Sequence, residues 1–335
     1  MTDLATALLG ALLRTTLFLS VAFILVGGSL WLMNVSSPAI RRTAWVMVLL
    51  QGWWFGRSTV DVPWYEAESI RERPAMSGSN SAFLETASFP PLGAGSRESP
   101  SAANNPAAVE RPSPAAPFWN WRCLAAAVWL AGIGTTLARW ILRYARFVGE
   151  LPLGEPASSA DQQTWERLLA ERKVRRAIPL RISDRLGPAL CRLPGGFRVL
   201  APRSLWHDLS ADGRLAILRH ELAHYERGDV WKSLIARLLA LPQWFNPLAW
   251  RAARNFDEGA EWACDDRVRK DCPEHLAAYG RSLLALGAGQ IPRGILNTAA
   301  QGRGLALRIR RILAPNLPED SLVKKTVLTA ASLAL

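Results

Sequence analysis

Histidine is scarce in this chain, 4 of 335 residues, and cysteine is equally scarce. Cys123, Cys191, Cys264 and Cys272 form no CxxC pair, so bridges and cysteine-built metal sites give way to small buried thiols on a reducing face. No charged residue falls between Arg14 and Arg41. About 20 apolar residues cross a bilayer core, so this stretch is long enough to span. It is too long, and too poor in a small-residue cleavage site, for a secretory signal peptide. Acidic residues are outnumbered, 28 against 40 basic, giving a net charge of +12. A basic balance fits either a nucleic-acid partner or the positive-inside rule of membrane proteins. The placement of the charges favours the membrane. Arg41 and Arg42 fall between two apolar runs, and Arg143 and Arg146 follow a third, so no direct nucleic-acid partner is expected.

The second apolar run, Thr43 to Gly56, is short and leans on a snorkelling Arg57; the third runs from Phe118 to Leu142 with Trp119, Trp121 and Trp140 near its ends. Two N-terminal membrane helices are therefore expected over residues 1–60 and a third over 118–142. Between them, residues 61–117 are dominated by Ser, Pro, Ala, Gly and Asn and read as an external flexible loop. A last apolar run after Lys324 and Lys325 reads as the start of an incomplete fourth helix over 322–335. The arginines before span two and after span three put residues 150–315 on the cytoplasmic side. That segment reads as a mainly helical α+β domain. Ser159 opens one helix, IPLRIS and FRVLAP are strand-like, Ser210 opens a long helical pattern that Gly228 interrupts, and Asn246-Pro247 opens another.

The chemistry lies on the pattern that Ser210 opens. His220, Glu221 and His224 form an HExxH motif, and residues four apart share one helical face, so both imidazoles can reach one ion. Glu221 lies to the adjacent side, placed to take a proton from an attacking water. Zn2+ suits such a site: it binds imidazole well, has no redox chemistry and acidifies water near neutral pH. A third protein ligand is needed. His207 and His275 lie in unpatterned surroundings, whereas the downstream helix offers Asp257, Glu258, Glu261, Asp265 and Asp266. Spacing alone does not choose among these carboxylates.

RHELAHYERGDVWKSL, QWFNPLAW and EGAEWACDD resemble the peptidase domain of the BlaR/MecR-type antirepressor metallopeptidases. The span layout, the loop and the strand pair ending in RVLAPRSL resemble that family as well. The resemblance implies a multi-pass protein of the bacterial cytoplasmic membrane, with a zincin-like peptidase domain between the third and fourth spans. It implies Glu261 as third metal ligand, and Asp265 as a carboxylate that orients a ligating histidine. The implied substrate is a cytoplasmic protein, a transcriptional repressor or the chain itself. Two departures stand out. Gly213 occupies the first turn of the HExxH helix, where the family has acidic residues, and no penicillin-sensing domain follows the incomplete fourth span. β-Lactam sensing therefore does not carry over.

The expected function is a membrane-anchored zinc metallopeptidase in signal transduction, with a protein substrate and the lipid bilayer as partners. The competing reading is a membrane signalling scaffold that keeps its zinc site without cleaving. An intramembrane protease is disfavoured, because Arg219, Glu226 and Arg227 would be costly at bilayer depth. The strand around Phe197 to Leu200 is expected to accept the substrate backbone as an added strand.

Overall fold

Two hydrophobic clusters organise the chain. The computed structural model describes residues 2–54, 121–150, 154–184, 187–288 and 303–314. The loop expected over 61–117 and the helix start expected over 322–335 lie outside them. The long helices are α1 (Thr2–Leu32) and α3 (Trp121–Glu150), and both contain windows long and apolar enough to cross a membrane. Leu13, Leu17, Ile24 and Trp31 on α1, and Leu130 and Ile141 on α3, are exposed, as a lipid-facing surface requires. Helix α2 (Pro38–Trp54) is shorter, and Pro38 starts it where its missing N–H costs nothing. Helix α3 continues well past the expected end at Leu142: Arg143 to Glu150 carry on the same helix.

The first cluster lies beneath the sheet. Helix α4 (Ser159–Glu171) is capped by Ser158, one residue before the expected cap, whose Oγ accepts from the Asp161 N–H at 3.2 Å. Its Trp165 is fully buried, with Nε1 donating to the Ile178 carbonyl. Four strands follow the order β1-β2-β4-β3: β1 (Glu155–Pro156), β2 (Leu180–Ser183), β3 (Ala189–Leu193) and β4 (Gly196–Pro202). β2 and β4 are the two expected strands and pair in parallel. β3, unanticipated, pairs antiparallel with β4. This corrects the expectation for Phe197 to Leu200: β4 is bonded on both sides, and the free edge near the HExxH helix belongs to β3.

After the short α5 (Arg203–Trp206) come α6 (Ala211–Arg227) and α7 (Asp229–Ala240). Ser210 caps α6 by accepting from the Gly213 N–H at 3.1 Å, and Gly228, at φ +64°, ends it in the left-handed conformation that glycine adopts without strain. A Cβ on Gly213 would overlap Ser282 Oγ of α9 (Leu276–Ala288), so glycine at this position serves a close helix–helix approach. Asp212 supplies the acidic group of that first turn instead.

The second cluster joins α1 and α2 to α7 and α8 (Pro247–Asp271). Leu19, Val26 and Leu30 of α1 and Trp45, Val48 and Leu49 of α2 pack on Ala236, Ala240, Ala249, Ala252, Ala253 and Phe256. The alanines let the helices approach closely. The turn between α7 and α8 is fixed to both long helices. Gln243 Oε1 accepts from Thr16 Oγ1 at 2.9 Å and its Nε2 donates to Thr15 Oγ1 at 3.0 Å. Trp129 Nε1 donates to the Pro242 carbonyl at 2.8 Å, and Trp244 Nε1 to the Trp129 carbonyl at 3.2 Å. Arg41 and Arg42, expected in the loop between spans, lie within α2, and Arg42 is buried. The last described helix, α10 (Arg303–Leu313), packs on α8 and α9.

Candidate metal centre

Helix α6 presents His220 and His224 one turn apart toward α8, where Glu261 faces both. Each imidazole uses its Nδ1 for support. Tyr279 Oη, donating to Asp265 Oδ1 at 2.7 Å, accepts from His220 Nδ1 at 2.8 Å, and Asp265 Oδ1 itself lies 3.2 Å from that nitrogen. His224 Nδ1 donates to Asp229 Oδ2 at 3.1 Å, with the Cys264 thiol 3.3 Å away. With the protons on Nδ1, both Nε2 lone pairs point into the same space. The two Nε2 atoms are 3.2 Å apart; Glu261 Oε2 is 3.4 Å from His220 Nε2 and Oε1 is 3.5 Å from His224 Nε2. Two lone pairs and a carboxylate at such range repel unless protons on the imidazoles or a metal ion lie between them. A tetrahedral ion with bonds of about 2.0–2.2 Å holds its donors about 3.3–3.6 Å apart, and these spacings fit it.

Of the other candidate carboxylates, Asp265 is buried and receives Arg308 Nε and Nη2, both at 2.8 Å, while Arg308 Nη1 reaches Glu261 Oε2 at 2.8 Å. Asp266 pairs with Arg311 at 2.8 Å, and Glu258 is exposed. Asp257 is a correction to a solvated acidic face: it is buried and paired with Arg237 at 2.6 Å. His207 is exposed, and His275 lies near Asp212 and Glu274, away from the cluster.

Burial works against charge throughout this site, and the partners overcome it. It disfavours protonated His220, yet Asp265 and Glu261 hold that imidazole above its ordinary value. For His224 burial is likewise outweighed, by Cys264, Asp229 and Glu261. Burial raises Glu261, but Arg308 and the two histidines bring it well below the usual carboxylate range. Asp265 goes the same way, with Arg308 as the main opposing charge. Asp229, buried beside His224 and Arg42, falls to about 2. His224, Asp229 and Cys264 also stand close enough together to hold an ion. Burial pushes the Cys264 thiol up, however, so it stays protonated and acts as a neighbour of the imidazole.

Glu221, buried next to His220, accepts from the Leu190 N–H of β3 at 2.7 Å through Oε2. Tyr279, Arg308 and the Leu190 amide carry no local signal that singles them out in the sequence, whereas Asp229, in the ERGDVW segment just after HExxH, lies near enough to His224 to be found.

The family model for the BlaR1 peptidase, M56, matches residues 81–311, more than half of the chain. The chain belongs to the M56 peptidase family. No curated protein matches it. Membership makes the chain a member of a membrane-associated metallopeptidase family with protein substrates, and the HExxH helix, the downstream carboxylates and Arg308 all fall inside the matched region.

Proposed function

We propose that this M56 protein is a membrane-anchored zinc endopeptidase. Its substrate is a cytoplasmic protein, a repressor or the chain itself, cleaved in response to a signal. His220, His224 and Glu261 would hold the ion, and Asp265 and Asp229 would orient the two imidazoles. Zinc, when bound, supplies a Lewis acid that polarises the scissile carbonyl and makes water acidic near neutral pH. Glu221 takes the proton from the attacking water and returns it to the leaving amine. The Leu190 N–H holds one oxygen of that carboxylate in place and leaves the other for the proton. Among the described residues β3 pairs only with β4, and its outer edge, apart from the Leu190 N–H that Glu221 takes, suits an extended substrate backbone, whose cleaved peptide then lies beside Glu221.

The observation that carries this reading is the convergence of two Nε2 atoms and the Glu261 carboxylate at 3.2, 3.4 and 3.5 Å, with Glu221 adjoining. The test compares wild-type and Glu221→Gln full-length protein in bacterial membranes, by metal analysis and by mass spectrometry of fragments. One zinc is expected in both proteins, with cleavage falling by about 10²–10⁴-fold in the variant. Fragments appearing equally in both would remove Glu221 from catalysis. Zinc in both with cleavage in neither would leave the signalling scaffold as the function.

A further inference from the structure

Arg42 is an expensive residue to bury. It belongs to α2, yet its side chain crosses α8 and ends inside the protein, with only 7% of the residue exposed. Its route depends on Gly259 of α8: a Cβ there would sit 2.7 Å from Arg42 Cγ, so a larger residue would block the stem. Beyond the glycine the guanidinium stacks on Phe256, 4.3 Å from the ring centroid. It ends at Asp229, with Nη1 2.7 Å from Oδ1. Among the described residues Nε and Nη2 find no hydrogen-bond partner. A buried ion pair with so few hydrogen bonds is a poor source of stability, and an apolar pair would serve packing as well. Its value lies in what the other Asp229 oxygen does. Oδ2 receives His224 Nδ1 at 3.1 Å, and Arg227 Nε lies 3.3 Å from the same atom.

We infer that Arg42 is a positioning residue of the metal centre: from α2 it fixes the Asp229 carboxylate, which in turn orients His224 toward the ion. This rests on His224 being a ligand, as proposed above. A carboxylate that orients a ligating imidazole governs affinity by about 10–100-fold, and here that carboxylate is held from a membrane-side helix. The peptidase site and the helix bundle are thus joined through a buried charged contact. The contact is sensitive to small motions. A slide of α2 by one helical residue, about 1.5 Å, exceeds the margin between a 2.7 Å pair and the limit of a hydrogen bond.

The test measures zinc affinity by chelator competition on full-length protein in detergent. The proteins are wild type, Arg42→Gln, Arg42→Lys, Asp229→Asn and the double variant Arg42→Gln/Asp229→Asn. Thermal unfolding of each metal-free protein serves alongside. Arg42→Gln is expected to weaken zinc about 10–100-fold, and Arg42→Lys to recover part of that loss by restoring the charge. The double variant should be no weaker than the worse single variant, because both changes break one chain of contacts. Unchanged affinity in Arg42→Gln, or losses that multiply in the double variant, would overturn the inference. Should Arg42→Gln melt out, Gly259→Ala, which displaces the same stem, takes its place: weaker zinc supports the relay, and undiminished zinc refutes it. Wild-type protein that binds no zinc would instead sink the proposed function.

Discussion

Leu190 shows how a backbone group enters the proposed catalytic site, which sequence motifs describe only by side chains. Its N–H fixes Glu221, just as Tyr279 and Asp265 fix His220. Around the proposed metal centre the structure separates the carboxylates by what they touch. Glu261→Ala should lose more zinc affinity than Asp265→Ala, which should lose about 10–100-fold. Asp257→Ala should leave affinity intact but lower stability, since it strands the buried side of Arg237; Glu258→Ala should change neither. Chelator titration and melting curves on the same four proteins give the order, and zinc lost by Glu258→Ala but kept by Glu261→Ala would reverse the ligand assignment. Acidity offers a second check on metal-free protein. The histidines titrate above their ordinary 6.5, so their contribution is full below that value and disappears as pH rises through their raised values. Asp229 titrates at about 2 rather than 3.8, so its contribution is present above 3.8 and is lost as pH falls toward 2. Melting temperature without metal should therefore peak between these limits, and added zinc should move the peak upward in pH by taking the place of the imidazole protons. A metal-free peak above neutrality would contradict the site's electrostatics. HExxH was legible in the sequence because its geometry is local, one turn of one helix. Tyr279 lies 59 residues from His220, and Arg308 lies 43 from Asp265. No periodicity reports contacts over such separations.

Among the elements, the helices were read best. Gly228 divides α6 from α7 and Asn246-Pro247 opens α8, as the capping chemistry dictates. The sheet was read less well. β3 is five residues long and its burial does not alternate cleanly, so nothing marked it before β4 and its partners were known. Helix α7 was legible as the part of the Ser210 pattern beyond Gly228, but its orientation was not. Its Trp231, Leu234, Ile235 and Leu238 are exposed while Ala236 and Ala240 face α1 and α2, a pattern that resembles an ordinary amphipathic helix turned inside out. The tip after α7 depends on Gly132 of α3, where a Cβ would overlap the Trp244 indole. Gly132→Ala should cost about 1–3 kcal/mol through overpacking and free the tip from α3. Thermal unfolding in detergent would show the loss, and a variant as stable as wild type would mean that Trp244 is not seated there.

At the scale of the molecule, α1 and α2 share the second hydrophobic cluster with α7 and α8, which explains why the residue ranges expected for separate membrane and peptidase segments did not foretell α2 packing on α8. Arg41 and Arg42 in the first turns of α2, and Arg143 and Arg146 in the last turns of α3, support the proposed topology in which the chain near Ser101 is external and Val230 internal. Cysteines introduced at these two positions should react with an impermeant reagent in intact cells at Ser101 alone; labelling only at Val230 would invert the topology. Arg308 bears on the order of events during synthesis. It stands on the last described helix, yet it holds both Glu261 and Asp265. A ribosome making 5–20 residues per second needs roughly 4–17 s to travel from His224 to Arg308. Through that interval the nascent chain carries its HExxH helix without the arginine that keeps both carboxylates ionised. The proposed metal centre therefore stays unfinished through that interval, however early its HExxH helix has formed.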